Sequence, residues 1–323
     1  MTLSIAIPAY NAAKSLERTV QSILAQTFTD FEVLIVNNGS TDKTGEVARA
    51  LAAKDPRIQV FDVYPNIQGY GARLYAWRRA KGKFITSVDA DDWIEPDMYA
   101  EMLRVIDANN LDVVQCDIFG EVRSPEGALD TFEGEMLKKE IYRKFIDIGE
   151  GAYIWNKVYR NQYDFDQWKE GNFGSYEDLI HNLQLFRPVK RYGYLHKDFY
   201  HYEVTDSSVT KNFNVARLAQ FSNAAKAKRE LAADYGLSAD DDVLDRWVVN
   251  DLRNAFITAA TVGTVSWPER LSNVGTIFAM PELVDSLKVL RRDCRGRRLL
   301  LFAQKHPSLA TRLVRLVKFI RKR

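Results

Sequence analysis

Along the first 120 residues the apolar positions alternate between two periods. Leu3 to Ile7 is a short apolar run rich in β-branched residues, which predicts a strand, and Ala13 to Gln26 then sets Leu16, Val20, Ile23 and Leu24 on one side of a helix. The alternation repeats, with strands predicted over Phe31 to Val36, Ile58 to Val63 and Phe84 to Val88 and helices over Thr44 to Ala53 and Gly71 to Ala80. Ser40 and Thr41 before Asp42 supply turn and N-cap chemistry for the second helix. Pro96 opens another helix to about Asn109, and Val113 to Phe119 reads as a further buried strand. Strands alternating with single helices imply βαβ units, hence an α/β fold with a mostly parallel sheet flanked by helices. On such sheets ligands collect at the carboxyl ends of the strands. The loops after Ile7, Val36, Val63 and Val88 are therefore expected to line one cleft.

From about Ser124 to Tyr202 the pattern is less periodic and rich in aromatic and loop residues, and it reads as the second half of the same domain. Helical spacing returns near Val215 to Tyr235, Asp240 to Ala260 and Pro281 to Leu290. The expected organisation is a domain over residues 1–212 and a helical C-terminal region over 213–323. Its last segment, Ser308 to Arg323, places Leu309, Leu313, Leu316, Val317 and Ile320 on one face and Arg312, Arg315, Lys318 and Lys322 largely on the other.

Charge sharpens that picture. The formal net charge is only +2, which gives no argument for nucleic-acid binding. From Lys288 onward, however, 13 Lys and Arg face one acidic residue, so a basic tail follows a body of net charge about −10. An amphipathic basic end of this kind suits an anionic membrane surface, with the alternative of a helix packed on the protein. The two cysteines, Cys116 and Cys294, have no metal-ligand spacing and fit a reducing compartment. The N-terminus lacks the basic start and cleavage site of a signal peptide, and no apolar stretch approaches the ~20 residues that span a bilayer. A cytoplasmic protein, peripheral on the inner face of the cell membrane, is the expectation.

Candidate chemistry concentrates at Val88-Asp89-Ala90-Asp91-Asp92, three carboxylates within four residues directly after a predicted buried strand. Such a cluster is either a solvated acidic turn or a site for a hard divalent cation such as Mg²⁺ or Mn²⁺, which takes oxygen ligands and bridges to phosphates. The position after the fourth strand of an α/β alternation favours the cation. The loop after the first strand, Pro8-Ala9-Tyr10-Asn11-Ala12-Ala13-Lys14-Ser15, lacks the Gly-x-Gly-x-x-Gly spacing of a dinucleotide binder and the Gly-rich phosphate loop that nucleotidyl transfer favours.

Taken in order, Ile7-Pro8-Ala9-Tyr10-Asn11, Val36-Asn37-Asn38-Gly39-Ser40-Thr41-Asp42 and Val88-Asp89-Ala90-Asp91-Asp92 resemble the opening of a family 2 glycosyltransferase. The resemblance covers roughly the first 210 residues. It implies a GT-A fold, a nucleotide-sugar donor, a divalent metal (Mn²⁺ or Mg²⁺) and an inverting displacement onto a hydroxyl of a glycan or lipid-linked acceptor in cell-surface polysaccharide synthesis. By the same resemblance Pro8, Ala9 and Tyr10 flank the base and ribose, and Asn37 or Asn38 faces the base. The family usually carries an Asp at one of these two positions. An amide offers both a donor and an acceptor, and uracil, hence a UDP-sugar, is the first expectation.

The segment Gln68-Gly69-Tyr70-Gly71-Ala72-Arg73 matches a family loop and helix that pack over the donor, which places Arg73 at the diphosphate or ribose. Asp89 is expected near the ribose or sugar and Asp91 on the metal, with Asp92 orienting its neighbours. Tyr176-Glu177-Asp178-Leu179 resembles the family's Glu-Asp pair, so Asp178 is the expected catalytic base and Glu177 its partner, supported by Trp155-Asn156-Lys157. A carboxylate within hydrogen-bond reach of the acceptor hydroxyl is what deprotonation during attack requires. His201 or Asp206 is the candidate contact to metal or phosphates, and His181 is read as structural. A catalytically silent nucleotide-sugar-binding or scaffold protein of a polysaccharide assembly is the alternative.

Overall fold

The computed structural model describes residues 1–120, 125–141, 144–145, 152–168, 171–203, 216–236, 243–261, 266–289 and 297–320. The chain divides into two compact units, one comprising Met1–Ile141 and Gly151–Asp206, the other Tyr142–Glu150 and Ser207–Arg323.

The first unit begins with the predicted alternation: β1 (Leu3–Ala9), α1 (Leu16–Leu24), β2 (Phe31–Asn38), α2 (Thr44–Ala52), β3 (Ile58–Val63), α3 (Gln68–Trp77) and β4 (Phe84–Ser87). These strands pair in the order β3-β2-β1-β4, all parallel. Every residue of β2 and nearly every residue of β1 is buried, as strands covered by helices on both faces must be. On α1 the buried residues are Leu16, Thr19, Val20 and Ile23, the apolar side that the spacing marked.

Beyond β4 the sheet becomes mixed. A two-residue strand, β5 (Trp93–Ile94), leads into α4 (Met98–Asn109) and β6 (Val113–Ile118). The aperiodic middle then supplies β7 (Leu129–Glu133), α5 (Gly134–Ile141), β8 (Lys157–Arg160), α6 (Glu177–Leu185) and β9 (Arg191–His201). β8 lies between β4 and β6 and is antiparallel to both, β9 runs parallel to β6, and β5 and β7 pair antiparallel with β9. The sheet is thus mostly parallel as expected, with β1–β4, β6 and β9 running one way and the short β5, β7 and β8 the other.

The second unit is helical among its described residues: α7 (Ala216–Ala232), α8 (Val243–Thr261), α9 (Trp267–Phe278), α10 (Pro281–Val289), α11 (Arg297–Lys305) and α12 (Pro307–Ile320). α9 and α11 are additions to the helices that spacing predicted. Ser266 caps α9 by accepting from the Glu269 N–H. On α12 the buried residues include Ala310 and Thr311, while Leu309 and Leu313 are exposed. The side chains of Leu316, Val317 and Ile320 lie outside the described residues. No helix among the described residues is long and apolar enough to cross a membrane.

Candidate functional site

Three sets of contacts tie together the loops at the carboxyl ends of the parallel strands. After β1, the Asn11 N–H donates to Ser40 Oγ at 3.1 Å and its side-chain Oδ1 accepts from the Thr41 N–H at 2.8 Å. Ala12 and Ala13 donate to Thr44 Oγ1 and Asp42 Oδ2. Asp42 also accepts from the Thr44 N–H at 3.0 Å; α2 is entered at Lys43 without a side-chain cap, so the expected N-cap role of Ser40 and Thr41 gives way to a turn held by Asp42. Pro8 is partly buried, Ala9 is buried and Tyr10 is exposed at this edge.

The two asparagines that end β2 have different work. Asn38 is fully engaged: Oδ1 accepts from the Ile67 N–H at 2.8 Å, and Nδ2 donates to the Gln68 carbonyl at 3.0 Å and toward Asn66 Oδ1 at 3.3 Å. It shapes the loop after β3, with no polar atom left over for a base. Asn37 instead donates from Nδ2 to Asp62 Oδ1 at 2.6 Å, which leaves its buried Oδ1 without a hydrogen-bond partner. Gly39, directly after them, has φ of 71°, and a Cβ there would come within 2.8 Å of the Asn66 nitrogen, so only glycine fits.

At the acidic loop, α1 holds the backbone. Thr19 Oγ1 donates to the carbonyls of Ala90 and Asp92 at 3.1 and 2.6 Å, and Arg18 Nη2 donates to the Asp91 carbonyl at 2.6 Å. The three carboxyl groups differ accordingly. Asp92 is buried; its Oδ2 accepts from the Tyr200 hydroxyl at 2.7 Å and its Oδ1 from the Glu203 N–H at 2.9 Å. Burial, then the charge of Asp89, pushes Asp92 up to about 8 against those hydrogen bonds. Asp89 is paired with Arg73. Asp91 has no side-chain partner among the described residues, and burial with Asp89 beside it raises its pKa.

Arg73 is the hub of the site. Its side chain is only 4% exposed, with Nη2 donating to Asp89 Oδ1 at 2.6 Å and Nη1 to Glu177 Oε1 at 2.7 Å. Nη1 also lies 3.4 Å from Asp178 Oδ1, and Nε donates to Ser87 Oγ at 3.3 Å. Its donors are committed to carboxylates and a hydroxyl, because three acidic groups converge where one buried cation balances them. Glu177 is held a second time by the Tyr70 N–H at 2.8 Å, and a Cβ on Gly69 would overlap its carboxylate.

Asp178 opens α6 together with Glu177. Its Oδ1 is buried with no hydrogen-bond partner, although the side chain as a whole keeps 24% of its surface. Burial pushes this carboxyl up to about 7; the charge of Arg73 opposes the shift, and those of Asp89 and Glu177 add to it. The fully buried Lys157, whose Nζ donates to Asn156 Oδ1 at 2.9 Å, also lowers it. One helical turn on, His181 is buried against Tyr70 with ring centroids 4.1 Å apart, and burial depresses its pKa well below the usual value. A neutral packed ring agrees with the structural reading.

His201, the expected metal contact, meets a carboxylate and two rings. Its Nε2 lies 2.7 Å from Glu95 Oε1, and its ring stacks on Trp93 and Phe119 at centroid distances of 3.3 and 4.3 Å. The register explains this, since His201 pairs with Trp93 across β9 and β5. Asp206 lies outside the described residues. No cluster of three or more His, Cys, Asp or Glu arranged to hold a metal occurs among the described residues. Sequence reasoning passed over Tyr200, whose hydroxyl joins the Asp89 N–H to the Asp92 carboxylate. It also passed over Asn182, whose amide donates to the Asp178 and Ala152 carbonyls. Neither has a local sequence signal, because each acts on residues distant in the chain or through backbone.

Residues 4–167 match the family profile described as Glycosyl transferase family 2. The chain belongs to this family. Among similar proteins is EpsH of Bacillus subtilis, named as a glycosyltransferase, 27% identical over 308 residues that cover 88% of this chain and 85% of EpsH. EpsJ of the same organism, also named as a glycosyltransferase, is 28% identical over 246 residues, 73% of this chain and 71% of EpsJ. The crystal structure of Staphylococcus aureus TarS residues 1–349 with UDP-GlcNAc superposes with a TM-score of 0.66 at 20% identity, covering 98% of this chain and 90% of that one. The fold is therefore that of a GT-A glycosyltransferase, as the three opening motifs implied.

Proposed function

We propose that this family 2 protein transfers a sugar, with inversion, from a UDP-sugar to a hydroxyl of a glycan or lipid-linked acceptor in cell-surface polysaccharide synthesis, with Asp178 as the catalytic base. The observation that carries the reading is the Asp178 carboxyl: largely buried, pushed up to about 7, with Oδ1 accepting no hydrogen bond although it lies 3.4 Å from the Arg73 guanidinium. A base poised near neutral pH suits proton removal from an attacking hydroxyl. Glu177 and Arg73 fix its position, and Asp89, held by Arg73, faces the donor sugar or ribose. Asn37 Oδ1, a buried acceptor lacking a partner, is the better candidate for the ring N–H of a uracil, with Tyr10, Ala9 and Pro8 beside the nucleoside. The acceptor hydroxyl gives its proton to Asp178 as the same oxygen attacks the anomeric carbon from the side opposite the diphosphate, whose bond to that carbon breaks.

The residues present suit a divalent cation, Mn²⁺ or Mg²⁺. Asp91 is a partly buried carboxylate whose pKa is raised by burial and then by the charge of Asp89, with Arg18 opposing the shift, and it forms no side-chain ion pair among the described residues, so a cation relieves it. Asp91 would hold that cation. When bound, the metal offsets charge building on the diphosphate. UDP-GlcNAc heads the donor panel, since the TarS structure was solved with it. The test is nucleoside diphosphate release from UDP-, GDP- and TDP-sugars with Mn²⁺ or Mg²⁺. Metal-dependent release from one donor, lost in Asp91→Ala and Asp178→Asn, supports the reading. Tight donor binding with no turnover on any acceptor would favour a silent nucleotide-sugar-binding protein.

The basic end of the second unit is assigned to an anionic membrane surface on the cytoplasmic side. The support is α12, where Leu309 and Leu313 stay exposed alongside Arg312 and Arg315 while Ala310 and Thr311 pack inward.

A further inference from the structure

Trp155 carries a set of rings that donor binding and the base do not use. It is itself 2% exposed, stacks on the buried Tyr200 at 4.0 Å between centroids, and has two further tyrosines nearly parallel to it. Tyr153 lies 4.7 Å away at 25°, and Tyr202 lies 5.8 Å away at 8°. Both keep nearly half of their surface, 44% and 49%. A lone exposed tyrosine is ordinary, but two exposed rings aligned on one buried tryptophan form an ordered aromatic surface.

The backbone under this surface is bonded to the site on both sides. Asn182 Nδ2 donates to the Ala152 carbonyl at 2.6 Å and to the Asp178 carbonyl at 2.8 Å, and Lys157 Nζ donates to the Tyr153 carbonyl at 2.5 Å. Tyr153 is thereby fixed to the turn of α6 that bears Asp178. On the other side Tyr202 sits between Tyr200 and Glu203, whose hydroxyl and N–H both donate to the Asp92 carboxylate. The carboxylates of Asp92, Asp91 and Asp89, after burial, raise the pKa of the Tyr202 hydroxyl, which agrees with its placement beside the acidic loop. The two exposed rings thus join the segment of the candidate base to the loop of the candidate metal ligand.

A pyranose presents one face made largely of C–H groups, which carry partial positive charge toward the negative face of an aromatic ring, and a rim of hydroxyls. We propose that Tyr153 and Tyr202, supported by Trp155, form the acceptor subsite and stack on a pyranose ring so that one of its hydroxyls reaches Asp178. This deepens the transferase reading and rests on it for the role of Asp178; the binding itself does not require turnover.

The test therefore reads binding directly. Saturation-transfer NMR and titration are carried out on the full chain with octyl β-glucoside, octyl β-galactoside and octyl β-N-acetylglucosaminide, and with octyl phosphate as the ring-free control. The expected result is saturation of the ring protons of at least one glycoside, with affinity falling about tenfold or more in Tyr153→Ala and Tyr202→Ala and retained in both Phe variants. Unchanged glycoside affinity in both Ala variants, or saturation of the octyl chain alone with equal binding of octyl phosphate, overturns the proposal. Glycoside binding that depends on the two rings, in a protein that releases no nucleoside diphosphate from any donor, would sustain the subsite and sink the transferase reading instead.

Discussion

Arg73 and Glu177, 104 residues apart in sequence, meet at 2.7 Å, and the same guanidinium holds Asp89 at 2.6 Å. One side chain on α3 therefore joins the acidic loop after β4 to the start of α6. Its substitution tests the whole arrangement. Arg73→Gln leaves two carboxylates that retain only about a quarter of their surface without their cation, a loss of about 3 kcal/mol. Thermal unfolding should show a lowered midpoint. Arg73→Lys should recover little, since one ammonium cannot reproduce the fork that reaches Asp89 and Glu177 together.

The pH profile follows from Asp178. A base raised to about 7 must be ionised to accept a proton, so kcat/KM should rise with pH through about 7 and level off above it. Arg73 lowers this pKa, so in Arg73→Gln whatever activity remains should show its rise at higher pH. An unshifted limb in that variant would dissociate the profile from Asp178. Asp178→Asn should lower kcat by ~10²–10⁴-fold. The same group links to stability: its folded pKa is raised above the unfolded value near 3.8, so its contribution is complete below that value and is lost as pH rises through about 7. Wild type measured without ligand should lose stability across that window relative to Asp178→Asn.

These residues also mark how far the chain could be read before folding. The first four strands and three helices were legible because burial on both faces writes continuous β-branched runs and a single buried side writes helical spacing. The three loop motifs were legible because each follows directly on its own strand, although their contacts cross to other loops. The middle was not: β8 has four residues, β5 has two, and both take their place through antiparallel partners far along the chain. For the same reason the partners of Arg73 and His201 could not be read from their neighbours. Asn37 and Asn38 are adjacent and chemically identical, and only the register of β2 against β3 separates their roles, facing one to Asp62 and the other to the loop over 66–68.

That separation is testable. Asn37→Ala removes the unpaired acceptor and should weaken UDP binding in calorimetry by about tenfold with little change in unfolding, while Asn38→Ala releases three hydrogen bonds of the loop after β3 and should cost about 1–3 kcal/mol. Equal effects of both on UDP binding would remove the distinction.

Gly69→Ala probes the other side of Glu177. An added Cβ overlaps that carboxylate, whose oxygens are already fixed by the Tyr70 N–H and Arg73, so Glu177 must move and draw the paired Arg73 with it. Displacement of order 1 Å in a positioned site costs on the order of a hundredfold in rate. Turnover should fall by that factor while donor binding stays near wild type, and Glu177→Gln, which keeps an acceptor oxygen for one of the two donors, should fall less.

The basic end calls for vesicles in place of substrate. Leu309 and Leu313 are one turn apart on α12 and exposed, so Leu309→Glu with Leu313→Glu keeps the helix while removing two apolar contacts and reversing local charge. Co-sedimentation with vesicles containing anionic lipid should capture wild type at low salt and lose the double variant, and truncation before Ser308 should abolish capture. Neutral vesicles should capture neither, because each Lys or Arg near an anionic surface adds about 1 kcal/mol that a neutral surface withholds. Wild-type capture by the double variant would leave α12 as a helix whose exposed leucines serve some contact other than lipid.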